Sequence, residues 1–219
     1  MKVLICLVFL LGLSTVSCKR KYKHSLVSNA IRLMDGLYGD TIELVENQTS
    51  EVPVSINFIP VQVPLLQSQK DAWFFVNMSY NDKPDGSFLM TFSLEKSKWI
   101  AEFVLFKDQY IFNVSISVLQ EFLNKYVTED FTLRKPRCTC ILKYLSKQTK
   151  NIVSCLLPKC LTQDKANRSI IMRFDCSGLY FLREDYVVFS MRRITKYPKL
   201  RPAAMNRLLD KGRICPLEE

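Results

Sequence analysis

Ser87–Glu95 reads SFLMTFSLE: Phe88, Met90, Phe92 and Leu94 are apolar, and the positions between them are polar except Leu89. Side chains that alternate this way belong to a strand with one buried face, because successive residues of a strand point to opposite sides. Asp82-Lys83-Pro84-Asp85-Gly86 precedes the run as a turn, since proline fixes φ and glycine accepts positive φ, and Lys96-Ser97-Lys98 follows as the next. Outward from this strand, Ala72–Tyr80 and Trp99–Phe106 flank it. Tyr110–Val118 repeats the alternation, with Phe112, Val114, Ile116 and Val118 on one face. Asp71–Val118 therefore predicts an antiparallel meander. Trp99–Phe106 is apolar except for Glu102, as expected of a central strand covered on both faces. The glycosylation sequon at Asn77 turns Trp73, Phe75 and Ser79 outward and Phe74, Val76, Met78 and Tyr80 inward. Trp73 and Phe75 then either form a binding surface or lie beneath another element.

Upstream, Ser25 can cap a helix whose apolar positions Leu26, Ala30, Leu33 and Leu37 recur at the helical period and end near Gly36 and Gly39. Thr41–Glu46 and Val52–Phe58 follow as strands. Pro53 assigns the second to an edge or a bulge, because proline has no N–H for the ladder. Val61–Leu66, with Pro60 and Pro64, reads as irregular. Downstream, Leu119, Phe122, Leu123, Tyr126 and Val127 predict a helix over Val118–Thr128. Cys138–Leu145 and Asn151–Leu157 are short elements pinned by cysteines, and Ser169–Cys176 and Tyr186–Ile194 are strands joined around Ser177-Gly178. A last helix starts at Pro202, packs Ala203, Met205, Leu208 and Leu209, and closes at Gly212. The expected fold is mainly β, α+β at its margins: an antiparallel meander forming a barrel or sandwich, with N-terminal, mid-chain and C-terminal helices and a disulfide-stapled C-terminal half.

Residues 1–18 join a basic Lys2, an apolar run Val3–Leu13 and small residues toward Ser17, which reads as a secretory signal peptide. Residues 19–219 then form a single secreted, extracellular domain. No later apolar run is long enough for a transmembrane anchor. Four sequons, at Asn47, Asn77, Asn113 and Asn167, fit the eukaryotic secretory route. Six cysteines follow the signal, Cys138, Cys140, Cys155, Cys160, Cys176 and Cys215, an even number that reads as three disulfides whose connectivity the sequence leaves open. Cys138 and Cys140 stand too close to pair with each other.

The charge is divided. His24–Leu133, the acidic meander half, holds seven basic against fourteen acidic residues, net −7; residues 134–219, the basic cysteine-rich half, hold nineteen against seven, net +12. Arg192, Arg193, Lys196, Lys199, Arg201, Arg207, Lys211 and Arg213 form the densest basic run. They are either a solvated face or a site for a polyanion such as a glycosaminoglycan. A secreted glycoprotein without aromatic-interleaved basic motifs is not expected to bind nucleic acid.

The one histidine, His24, lies in the basic stretch Lys19–His24, so a histidine-activated serine or cysteine nucleophile is not expected, nor a histidine metal site. Paired carboxylates survive this test, from Asp71, Asp82, Asp85, Glu95, Glu102, Asp108, Glu184 and Asp185. Only Glu102 interrupts an apolar strand, where a carboxyl could serve as a general acid. No phosphate-cradling glycine loop is present, and no cofactor or metal is expected. The late strand Tyr186–Met191, the helix Pro202–Leu209 and the tail at Cys215 resemble a lipocalin, but Gly36-Leu37-Tyr38 stands where that family has G-x-W, and the family is not assigned. The sequence thus points to a non-enzymatic, N-glycosylated, disulfide-bonded binding protein for an extracellular protein or small apolar ligand, of the immune-modulatory kind among others. The ligand candidates are Phe74, Val76, Phe88, Met90, Phe92 and Phe112 on the aromatic inner face. The alternatives are surface retention by glycosaminoglycan and, third, a carboxylate-dependent hydrolase.

Overall fold

The computed structural model describes residues 26–39, 54–66, 72–80, 83–106, 115–128, 131, 138–144, 152–157, 170–183, 186–209 and 215. The expected leader at 1–18 and the strand at Thr41–Glu46 lie outside them. Helix α1 covers residues 26–34. The strands are β1 (Gly36–Gly39), β2 (Val54–Val61), β3 (Trp73–Tyr80), β4 (Lys83–Glu95), β5 (Lys98–Leu105), β6 (Cys138–Ile141), β7 (Lys143–Tyr144), β8 (Val153–Leu156), β9 (Ile171–Phe174), β10 (Gly178–Arg183) and β11 (Tyr186–Thr195). Helix α2 (Ile116–Tyr126) follows β5, and a 3-10 turn at Pro198–Leu200 precedes the short helix α3 (Ala203–Asn206).

All eleven described strands belong to one sheet, in the order β6-β5-β4-β3-β2-β1-β11-β10-β9-β8-β7, with antiparallel neighbours wherever they pair. Its two ends, β6 and β7, are consecutive in the chain with Leu142 between them. One segment thus supplies both edges, and the sheet rolls into a nearly closed barrel. Leu142 still donates its N–H to Trp99 O on the β5 side (2.9 Å), and the next residue, Lys143, pairs with Ser154 of β8. The Cys140–Cys155 disulfide crosses this seam, and Cys176–Cys215 ties the tail to the turn between β9 and β10, with Cα–Cα distances of 5.7 and 5.4 Å. Cys138 is also disulfide-bonded. Closing the sheet removes long exposed edges, and the bridges hold the closure where the ladder is shortest.

Inside the barrel lies α1. Val27, Ser28, Asn29, Ala30 and Ile31 are five consecutive buried residues. At about 100° per residue they point all around the axis, so the helix is enclosed rather than laid on a surface. Its side chains share one core cluster with Phe58, Phe74, Met90, Phe103, Phe174 and Met191 of the surrounding strands. A second cluster lies outside: Leu119 and Leu123 of α2 pack on Ile59, Val61, Trp73, Phe75 and Leu89. Trp73 and Phe75 are therefore covered, and the outer face of β2–β4 is divided between this apolar half and a polar half at Asn57, Asn77 and Ser87, which are cross-strand neighbours.

Several expectations are corrected. The helical stripe does not reach Leu37: at Gly36 φ is +149°, and a Cβ there would run into the Thr195 carbonyl, so glycine lets the chain leave α1 directly into β1 beside β11. β2 is not an edge; it begins after Pro53 and lies between β1 and β3. Its Pro60 sits beyond Phe58, the last residue paired with β1, where a missing N–H costs the β1 ladder nothing. β4 starts at Lys83, and Pro84 and Gly86 pair across a register shift between Met78 and Ser79 instead of forming the turn. Ile116 and Val118 belong to α2 rather than to a fourth meander strand, because burying the helically spaced Leu119 and Leu123 on Trp73 and Phe75 overrides the alternation. β5 is buried on its inner face only: Ala101 and Phe103 are enclosed, while Ile100, Glu102 and Val104 are half-buried on the other side. A strand the alternation missed, β10, lies between β9 and β11, its GLYFLR run masking the period. The last helix is only four residues long, with Met205 its one buried side chain.

Candidate functional site

β11 and the segment after it carry the basic run, and strand parity divides it. Met191 is in the core, so Arg193, two residues on, points into the barrel end, while Arg192 points out. There α1 stops, and its last carbonyls need donors. Arg193 supplies them: Nη2 donates to Leu33 O at 2.5 Å and to Tyr38 Oη at 2.9 Å, and Nε donates to Tyr38 Oη at 3.1 Å. The Tyr38 hydroxyl in turn donates to Leu33 O. A cation at this end also opposes the negative pole of the helix dipole. Burial pushes the Tyr38 hydroxyl pKa well above its usual range, so it stays a donor.

One residue past α1, Asp35 has no solvent exposure and accepts from Tyr197 N (3.1 Å), from Arg201 Nε (2.5 Å) and from Arg201 Nη2. Burial raises its carboxyl pKa, against the lowering pull of Arg201 and the hydrogen bonds. Together these contacts fasten the segment 197–205 over the barrel end, with Met205 driven into the core.

Of the polyanion candidates, Arg193 and Arg201 are thus turned inward and paired, and Lys196 is half-buried with a partner of its own. Arg192, Lys199 and Arg207 are exposed; Lys211 and Arg213 lie outside the described residues. Arg192 stands between Gly39 of β1 and Gly178 of β10, so no side chain flanks it on either neighbouring strand. Neither Asp35 nor Tyr38 was picked out by motif. The signals were there: a lone acid beside a predicted helix end, and the opposite charges of the two halves.

Phe74, Val76, Phe88, Met90 and Phe92 do come together on the inner face, where Phe74 makes edge contacts with Phe58 and Phe92 at 6.5 and 6.2 Å. They pack in the same cluster as α1; Phe112 lies outside the described residues. Asn77 is half-buried on the outer face, its Oδ1 accepting from Ser87 Oγ at 2.9 Å; Asn47, Asn113, Asn167 and Cys160 lie outside the described residues. Glu102 is half-buried opposite Thr91 and Thr139 and has a partner. Glu95 is half-buried at the end of β4, whereas Asp71, Asp82, Asp108, Glu184 and Asp185, and the Asp85 side chain, lie outside the described residues. No cluster of three or more His, Cys, Asp or Glu suited to a metal occurs among the described residues. Neither a protein-family model nor a curated protein matches the chain. The disulfides fit a secreted protein, and no described helix is long and apolar enough to cross a membrane.

Proposed function

We propose that the chain is a secreted, N-glycosylated binding protein that recognises another extracellular protein through the outside of its barrel and carries out no chemistry. The enclosure of α1 is the observation that supports this: the aromatic inner face already spends its surface on Val27, Ala30, Ile31 and Met34. A small apolar ligand would have to displace a helix whose polar end is tied down by Arg193 and, through Asp35, by Arg201. Recognition then falls to the outer face, held in shape by the Cys140–Cys155 bridge across the seam. Titrating the purified protein with a fluorescent fatty acid and with a retinoid is expected to give no displaceable signal. A saturable, stoichiometric signal overturns the outside-only reading.

A second reading, retention by a glycosaminoglycan, is favoured by the exposure of Arg192, Lys199 and Arg207. Elution from a heparin column above about 0.2 M salt supports it, since weaker contacts are screened by then. Elution below that leaves these cations without a polyanion role.

A further inference from the structure

We propose that the outer face of β8, β9 and β10 docks a segment of another extracellular protein in which Asp or Glu flank Leu or Phe; this rests on the protein-binding reading above. Register builds the patch. Leu156 lies opposite Ile171 and Ile171 opposite Leu182, while in the next row Ser154 lies opposite Arg173 and Arg173 opposite Tyr180. Leu156 and Ile171 are 52% and 37% exposed. The apolar stripe on β2–β4 has α2 over it, whereas no described helix covers this one.

The patch is set before any partner arrives. The Arg173 guanidinium lies 4.4 Å from the Tyr180 ring centroid and reaches Asp175 Oδ2 at 3.3 Å. Tyr180 Oη lies 2.7 Å from Ser177 Oγ, which donates to Asp175 Oδ1 at 2.6 Å. The backbone N–H groups of Ser177 and Gly178 donate to the same oxygen at 2.9 and 3.1 Å. Arginine and tyrosine held in one conformation lose little freedom on binding and recur where interface energy concentrates. Charge selects the partner. Lys143, opposite Ser154, and Arg192, opposite Gly178, are exposed, and neither is ion-paired among the described residues. Asp175 is the one described carboxylate beside this face, and Arg173 already answers it. An aliphatic and aromatic centre bracketed by unanswered cations is complementary to an acidic apolar segment and repels a basic one.

The test selects short random peptides displayed on phage against the full secreted protein. Enriched peptides should combine acidic residues with Leu, Ile or Phe and should bind the Leu156→Ser/Ile171→Ser variant about tenfold more weakly. Lys143→Glu/Arg192→Glu, which leaves the apolar centre intact, should weaken them comparably, and near-UV circular dichroism checks that each variant keeps its fold. Peptides that lack acids, or that bind both variants as tightly as the parent, overturn this site while leaving a binding protein with its surface elsewhere. Dimerisation abolished by Leu156→Ser/Ile171→Ser overturns it too, because the face then belongs to a second copy. Enrichment of nothing overturns the site and the protein-binding reading together.

Discussion

Replacing Arg201 by methionine keeps the length of the side chain but removes both guanidinium contacts to Asp35. The carboxylate, with no solvent exposure, is left with the Tyr197 N–H as its described donor. Removing one partner of a buried ion pair costs about 3–5 kcal/mol, because the other charge stays behind unanswered. For a domain of this size that is on the order of 10 °C in Tm. The raised pKa of Asp35 adds a signature: a carboxyl that already holds its proton more tightly when folded can escape the penalty by taking one up. The cost of Arg201→Met should therefore shrink on acidification, and Asp35→Asn should suppress it. The sign can be read separately. Since folding raises this pKa above 3.8, the parent should lose stability relative to Asp35→Asn as pH rises from 3.8 through the raised value. Urea unfolding followed by the fluorescence of Trp73 and Trp99 measures all three variants. If Arg201→Met costs under about 1 kcal/mol at pH 7 and instead abolishes heparin retention, Arg201 serves a ligand and its structural assignment is wrong.

Two more predictions concern the frame. Lys96 and Ser97 both sit at positive φ, 43° and 69°, in the turn joining β4 to β5; Lys96→Asn with Ser97→Gly should raise unfolding stability by about 1–2 kcal/mol, since these residues adopt left-handed backbone at little cost. No gain in the urea midpoint would refute that. Leu123→Ala, at the centre of α2 and fully buried, should cost about 2–5 kcal/mol and increase the exposure of Trp73 to a fluorescence quencher. A loss without added quenching would mean that α2 stays in place.

The β character of the chain was legible because β4 alternates at every position but Leu89 and β3 alternates from Val76 onward, with Asn77 marking the outer face. The site near Asp35 was harder to see, since Arg192 and Arg193 are adjacent and identical in sequence; only the parity set by Met191 separates the exposed cation from the half-buried, paired one. α1 misled for a related reason. Leu26, Ala30 and Leu33 advertise one apolar stripe, but Ser28 and Asn29 are buried as well, and a helix enclosed on all sides need not be apolar on all sides where its polar groups find partners. Asn29 finds one in the Tyr144 hydroxyl at 3.2 Å. Ile116–Val118 obeyed both periods at once, and only the position of Trp73 and Phe75 in space decides between them.

The pairing of β1 with β11 joins Leu37 to Thr195 across 158 residues of chain. During synthesis α1 therefore cannot be sealed in until nearly the whole polypeptide has been made. Until then Val27, Ile31 and Tyr38 stay open to chaperones, and ladder formation waits on a closure that long-range contacts make slow. A product cut short before β11 would lack one wall and the clamp on α1 together, and cellular surveillance would meet an unenclosed helix rather than a slightly damaged barrel.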